Sequence, residues 1–249
     1  MIKPNTQMAI RDVCDMSMFL LPGLALAAFI DYANVTNLAL TSDSVSATGG
    51  HGAPKKVTFD NPGDHTFNIE TQVYTPLLIS LVTGSKLEDS AEFLRRKILA
   101  VESGSITIDE EATPGTVAVY EIGADGSEAQ DITATIGSGK TTIAFAGTAP
   151  DEGARFVVYW FVSKATGILR IPITNRAMPR TYKCVGSASW KGTDDVIYAG
   201  QLTLHRIKPR KELTLNMSNS GDPSTMTIPF DVLETDMGEM VDLVYNEEE

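Results

Sequence analysis

TFNIETQV, residues 66–73, sets Phe67, Ile69 and Val73 on one side of an extended chain and Thr66, Asn68, Glu70 and Gln72 on the other. Successive side chains of a strand point to opposite faces, so this period of two predicts a strand with one buried and one wet face. The pattern recurs outward along the chain. In residues 182–190, Tyr182, Cys184, Ala188 and Trp190 share a face opposite Lys183, Ser187 and Ser189. Leu213, Leu215 and Met217 oppose Thr214, Asn216 and Ser218, and Met226, Ile228, Phe230 and Val232 close the series. The fold class that follows is mostly β.

Helical signals are few. TPLLISLV, residues 75–82, reads as a short helix with Pro76 at its first position and Gly84 as its stop. Residues 86–103 repeat apolar side chains at three- and four-residue steps, Leu87, Ala91, Leu94, Ile98 and Val101, which predicts an amphipathic helix.

From about residue 104 to 165 the composition turns to Gly, Ala, Thr and acidic residues, with turn signals at Pro114-Gly115, Asp125-Gly126, Ser138-Gly139 and Glu152-Gly153. Five strands are expected there, over residues 105–109, 117–122, 131–136, 142–146 and 155–163. Their number and spacing suit an inserted immunoglobulin-like β-sandwich. The last one, apolar on both faces (FVVYWFV), is expected at a sheet centre with both sides covered. Residues 1–103 and 166–249 then form one domain interrupted by the module at 104–165.

The chain has 249 residues, 43% of them hydrophobic, enough for a large β domain or two smaller ones without staples. Its net charge of −12 argues against attraction to nucleic acid, which depends on Lys and Arg displacing counterions. The apolar run at 18–30 (MFLLPGLALAAFI) is too short to span a bilayer; Pro22-Gly23 at its centre, with Asp12 and Asp15 before it, does not fit a secretory leader. Cys14 and Cys184 are expected as free thiols in a reducing cytosol.

No chemical site assembles from the remaining motifs, so the chain reads as a non-enzyme without cofactor or metal. Gly137-Ser-Gly-Lys-Thr-Thr142 has Ala134 where a phosphate loop needs glycine, and residues 142–146 alternate like a strand where that loop must open a helix. A hairpin turn is the expectation. His51, His65 and His205 share no ligand spacing with each other or with either cysteine, and no Gly-x-Ser-x-Gly elbow is present. Trp160 and Trp190 read as core residues. The acceptor patterns at Asn34 and Asn216 matter only in a secreted eukaryotic setting.

Two stretches carry a family resemblance. Residues 49–84, GGHGAPKKVTFDNPGDHTFNIETQVYTPLLISLVTG, join a Gly-rich loop, a strand and a T-P-x-L-x-x-L-x-T-G helix. Residues 178–233 open on MPRTYKCVGSASW and end on LTLNMSNSGDPSTMTIPFDVL, with the pattern S-x-x-G-D-P-S-T-x-x-x-x-F-D-V. In content and order the two stretches resemble the tail tube (major tail) proteins of tailed bacteriophages.

That resemblance implies a β-sandwich or barrel-like subunit with a flanking α-helix. Copies would form hexameric rings that stack into a hollow tail tube, each lending strands to a continuous barrel around the lumen. Closing a ring uses up strand edges that would otherwise template uncontrolled association. Thr66, Asn68, Glu70, Gln72, Thr214, Asn216 and Ser218 become candidates to face the lumen, where a bland, acidic lining lets genomic DNA slide without specific binding.

Gly49, Gly50, His51, Lys55 and Lys56 in the Gly-rich loop, with Arg206, Lys208, Arg210 and Lys211 in RIKPRK, are candidates for contacts between rings or with a sheath. The plain alternatives are a mobile loop and a solvated basic strand end. The C-terminal Asn246-Glu-Glu-Glu249 reads as a solvated tail. The implied partners are further copies of the chain, sheath, tape measure, baseplate and tail terminator proteins, with no membrane. The implied place is the virion tail, assembled in the host bacterial cytoplasm. Another β-rich virion part (baseplate, decoration or connector protein) and a cell-surface immunoglobulin-like adhesion module are the competing readings.

Overall fold

The computed structural model describes residues 5–61, 63–122, 128–137, 139–217, 219 and 221–247. The expected turn at Asp125-Gly126, together with Ser138, Ser218, Glu248 and Glu249, lies outside the described residues. The chain divides into two compact units, Met1–Leu87 with Ile171–Glu249, and Glu88–Arg170.

The first unit opens with β1 (Met8–Ile10), β2 (Asp15–Leu20), β3 (Ala25–Ile30), β4 (Val35–Ala39), β5 (Asp43–Thr48), β6 (Lys55–Asn61), β7 (Thr66–Thr71) and α1 (Pro76–Thr83). The second holds β8 (Ala91–Ala100), β9 (Ser105–Thr107), β10 (Ala118–Ile122), β11 (Glu128–Ile132), β12 (Ala134–Ile136), β13 (Thr142–Phe145) and β14 (Arg155–Lys164). The chain returns to the first unit with β15 (Tyr182–Gly192), β16 (Ile197–Pro209), β17 (Met226–Val232) and β18 (Val241–Glu247). The protein is mostly β, as expected.

One nine-stranded antiparallel sheet builds the first unit, in the order β3-β2-β15-β16-β17-β7-β4, with β1 also on β15 and β18 also on β16. Strand β16 is the corner. Its early half pairs β18 (Leu204 with Val241), and its last residues pair β17 (Ile207 with Val232), so the sheet folds over onto itself. Met16, Met18, Ile30, Cys184 and Leu204 from one layer meet Phe67, Ile69, Met226, Ile228 and Phe230 from the other in a buried core. The structure is a sandwich rather than a closed barrel. The apolar run at 18–30 is the β2–β3 hairpin within it.

Helix α1 ends where its sequence says it must. Thr75 caps it, its hydroxyl accepting from Leu78 N at 3.2 Å, and Pro76 supplies a first residue that needs no donor. Gly84 stops it in the left-handed region at φ 70°, where a side chain would also meet Met178 O at 2.3 Å. Leu78 and Val82 bury against the core, which holds the helix on the sandwich's flank.

In the second unit the sheets β11-β10-β14-β8 and β12-β13-β9 face one another. Val119, Phe156, Val158 and Trp160 of one pack with Ile106 and Ile143 of the other. Strand β14 is central, but only one of its faces is fully covered. On the second face Val157 is buried and Phe161 stays exposed. The segment expected as one strand over 131–136 is split between β11 and β12, in different sheets. Strands β12 and β13 pair on either side of the Gly-rich motif, and Gly137 N donates to Thr142 O at 2.8 Å, as a hairpin requires.

Three expectations are corrected. Residues 86–103 are not a helix: β8 lies there, paired over its whole length with β14 from Ala91–Lys164 to Ala100–Arg155. Apolar residues at both parities, Phe93 and Leu99 inward and Leu94 and Ile98 outward, mimic a helical repeat, and the ladder offered by β14 overrides local preference. Residues 212–217 form no strand, and Met217 is 91% exposed. Leu213 alone of its apolar set packs on the core, and among the described residues no strand pairs with this segment. Asn246 and Glu247 are not tail but the end of β18, paired with Ala199 and Tyr198.

Candidate functional site

The β5–β6 ribbon carries the Gly-rich loop. It is a separate two-stranded sheet that pairs Asp43 with Asn61 through Thr48 with Lys55. Val45, Ala47, Val57 and Phe59 share one face; Ser46 and Thr58 share the other, their hydroxyls 3.2 Å apart. The apolar face is uncovered, with Phe59 60%, Val45 59% and Val57 50% exposed. Gly50 and Gly52 turn the tip at φ 88° and 83°. His51, Lys55 and Lys56 stand exposed on it, and Gly49 is half-buried. A lone hairpin is marginal in water, so this apolar face calls for a partner. The alternation of Val45 and Ala47 with Val57 and Phe59 around a Gly-rich turn was the hairpin signal in the sequence.

The expected lining splits. Thr66, Asn68 and Glu70 lie half-buried on the outward face of β7, beside Thr227, Pro229 and Asp231 of β17 and Val35, Asn37 and Ala39 of β4. Gln72 is exposed beyond the strand, and Val73, expected inward, is 60% exposed because β7 ends at Thr71. Thr214 and Asn216 are exposed on the irregular segment. The structure therefore does not bring the two groups together on one strand pair.

A second polar face emerges only from register. Phe29, Ser17, Val185, Thr203 and Asp242 form one row across β3, β2, β15, β16 and β18. Asp15, Ser187, Gln201 and Val244 form the next. Gln201 Nε2 donates to Thr203 Oγ1 at 3.1 Å, and His205 Nε2 lies 2.7 Å from Asp242 Oδ2, tying β16 to β18. These residues come from both ends of the chain, so no local pattern reveals them.

The basic stretch is largely engaged within the chain. Arg210 Nε donates to Asp231 Oδ1 at 2.6 Å, and Lys211 Nζ donates to Ala177 O at 2.8 Å. Arg206 is half-buried, while Lys208 is exposed and opposite Asp231 in the ladder.

At one end of the sandwich a cavity of about 340 Å³ opens among Ile10, Leu38, Phe67, Trp190, Leu243 and Tyr245. Trp190, expected as core, is half-buried at its edge, whereas Trp160 is fully buried in the second unit. Cys14 and Cys184 are free thiols, and burial pushes both above the usual thiol range, Cys184 the further. Among the described residues no group of three or more His, Cys, Asp and Glu stands where it could hold a metal ion, and no helix is long and apolar enough to cross a membrane.

The profile of the YomU/Tube protein family matches residues 8–245, through both units. The chain belongs to that family of phage tail tube proteins, structural parts of the tail. No match was found among the curated proteins.

Proposed function

We propose that this member of the YomU/Tube family is the wall subunit of a phage tail tube. Six copies close into a ring through backbone ladders, and rings stack into a hollow tube through which genomic DNA passes without specific binding. The observation that carries this reading is the open sheet of the first unit. Among the described residues β3 and β4 at its ends, and β1 and β18 beside it, each have a ladder partner on one side alone, which leaves rows of N–H and C=O groups for other chains to pair.

The β5–β6 ribbon supports the stacking step. Its exposed Val45, Val57 and Phe59 are suited to cover an adjacent ring, with Gly49, Gly50, His51, Lys55 and Lys56 at or beside the tip in reach of the same surface. Lys208 and Arg206 remain candidates for a sheath contact; Arg210 and Lys211 act inward. The second unit, an immunoglobulin-like module, decorates the tube. Sheath, tape measure, baseplate and terminator proteins meet the outside, the hole and the two ends of a tube assembled in the host cytoplasm. The net charge of −12 supports a weakly adhesive conduit. The role is structural and requires no catalytic group.

Electron microscopy of the purified chain at rising concentration tests this reading. Stacked rings with a central hole are expected; compact single particles at every concentration would refute it.

A further inference from the structure

We propose that the recess between the end of helix α1 and the β2–β3 hairpin binds a small carboxylate carried on an apolar stem, such as a medium-chain aliphatic acid. The inference does not rest on tube assembly.

The recess holds about 480 Å³, inside the range of about 300–1,000 Å³ usual for small-molecule sites. Three parts of the first unit wall it. Tyr182 of β15 lies opposite Leu20 of β2 in the ladder, and Ala27 follows on β3. Gly84, the stop of α1, lies so close to the Met178 carbonyl that no side chain would fit, which brings Arg180 to the helix end. Leu20, Ala27 and Leu81 make an apolar floor, since each packs on the core and stays only partly buried. Lys86 and Arg180 stand exposed around it.

Tyr182 sets this recess apart from a dent in the surface. It is 3% exposed, yet its hydroxyl makes no hydrogen bond among the described residues. A buried tyrosine ordinarily finds a partner for its O–H. Desolvation raises its pKa against the opposing pull of Arg180, so the phenol keeps its proton and can donate. The hydroxyl is therefore a donor lacking an acceptor, in the wall of a recess that two cations also line.

Charge chooses the ligand. The chain carries a net −12, yet neither Lys86 nor Arg180 forms an ion pair among the described residues. The C-terminal end of α1 contributes about half a negative charge here, which two full positive charges outweigh. The hydroxyls of Ser80 and Ser85 already donate, to Ser85 O at 2.8 Å and to Pro172 O at 2.9 Å. Recognition thus falls to Tyr182, Arg180 and Lys86, donors suited to one carboxylate, with the guanidinium able to grip both oxygens. A bare anion would leave the floor wet, and a neutral chain would leave the donors unanswered. An aliphatic acid answers both.

Equilibrium dialysis of the full chain, kept dilute enough to stay unassembled, tests the site with octanoate as the probe. Acetate supplies the charge without the stem, and octanol the stem without the charge. We expect one octanoate per chain, bound about tenfold tighter than either control. The double variant Lys86→Gln with Arg180→Gln should lose about tenfold in affinity and Tyr182→Phe about threefold, since hydrogen bonds to a charged group are the strong ones. Equal affinity for octanol and octanoate, binding that the double variant retains, or no saturable binding would each overturn the site. Should a variant not fold, hydrogen exchange on the unsubstituted chain decides: amides of Ser80–Leu87 slow at saturating octanoate, and unchanged exchange there overturns the site. Because the chain is read unassembled, failure here leaves the tube reading standing, and absence of tubes leaves this result standing.

Discussion

The rings of Trp190 and Tyr245 meet edge to face, centroids 5.3 Å apart and planes at 89°. Trp190 is on β15 and Tyr245 on β18, two strands that do not pair; β16 lies between them. The indole reaches across because β16 carries Gly200 there, where a side-chain carbon would sit 2.3 Å from Nε1. A glycine thus lets a core-edge tryptophan hold β18 in place.

Gly200→Ala should destabilise the first unit by about 1–3 kcal/mol through overpacking. Urea unfolding followed by Trp190 fluorescence measures it, and ring formation should fall with it.

The second unit should be removable. Glu88 and Arg170 exchange both backbone hydrogen bonds, at 2.9 and 2.8 Å, with an ion pair of 3.0 Å beside them. Opposed residues of that kind lie about 5.5 Å apart at Cα, a gap one or two glycines span. Replacing residues 89–169 by Gly-Gly should leave tube assembly intact by electron microscopy, with a thinner outer wall; loss of assembly would place the module in the wall itself.

Helix α1 should respond at both ends. Thr75→Ala removes the hydroxyl that accepts from Leu78 N and should cost about 1 kcal/mol. Gly84→Ala should cost more, because it adds left-handed strain to a clash with the Met178 carbonyl. Thermal unfolding of the two variants should rank them in that order.

How much of this was readable before the structure depends on where the partners lie. Strands β7 and β17 were legible because each buries a single face, Phe67 and Ile69 against Ile228 and Phe230. Helix α1 was legible because its cap, first proline and stop are adjacent residues. Strand β8 was not: Phe93 and Leu99 pack inward while Leu94 and Ile98 point out, and its identity comes from a partner more than fifty residues later. Residues 213–217 alternate just as β7 does, yet among the described residues no neighbouring strand takes up their backbone. The row from Phe29 to Asp242 joins residues from opposite ends of the chain, and register alone puts them side by side.

The ribbon should act between molecules. Phe59→Asp removes an exposed apolar contact and should leave unfolding of the isolated chain unchanged within about 0.5 kcal/mol, as for surface substitutions generally. Stacking of rings should be abolished, read as loss of long tubes.

The thiols should be inert in the folded protein. Burial raises the pKa of Cys184, and of Cys14 to a lesser degree, so the thiolate is scarce near pH 8. A raised thiol pKa stabilises the fold below the unfolded value of 9.0, and that contribution is lost as pH climbs above it. Mass spectrometry after iodoacetamide at pH 8 should find neither cysteine alkylated in the native state and both after urea.

The most direct test is cryo-electron microscopy of the full chain concentrated until it assembles, viewed along the particle axis. The account predicts a hollow ring whose inner wall is one uninterrupted sheet, with strand-to-strand spacing of about 4.8 Å carried across every boundary between copies. A particle whose copies touch only through side chains, or a chain that stays a monomer when concentrated, would contradict it.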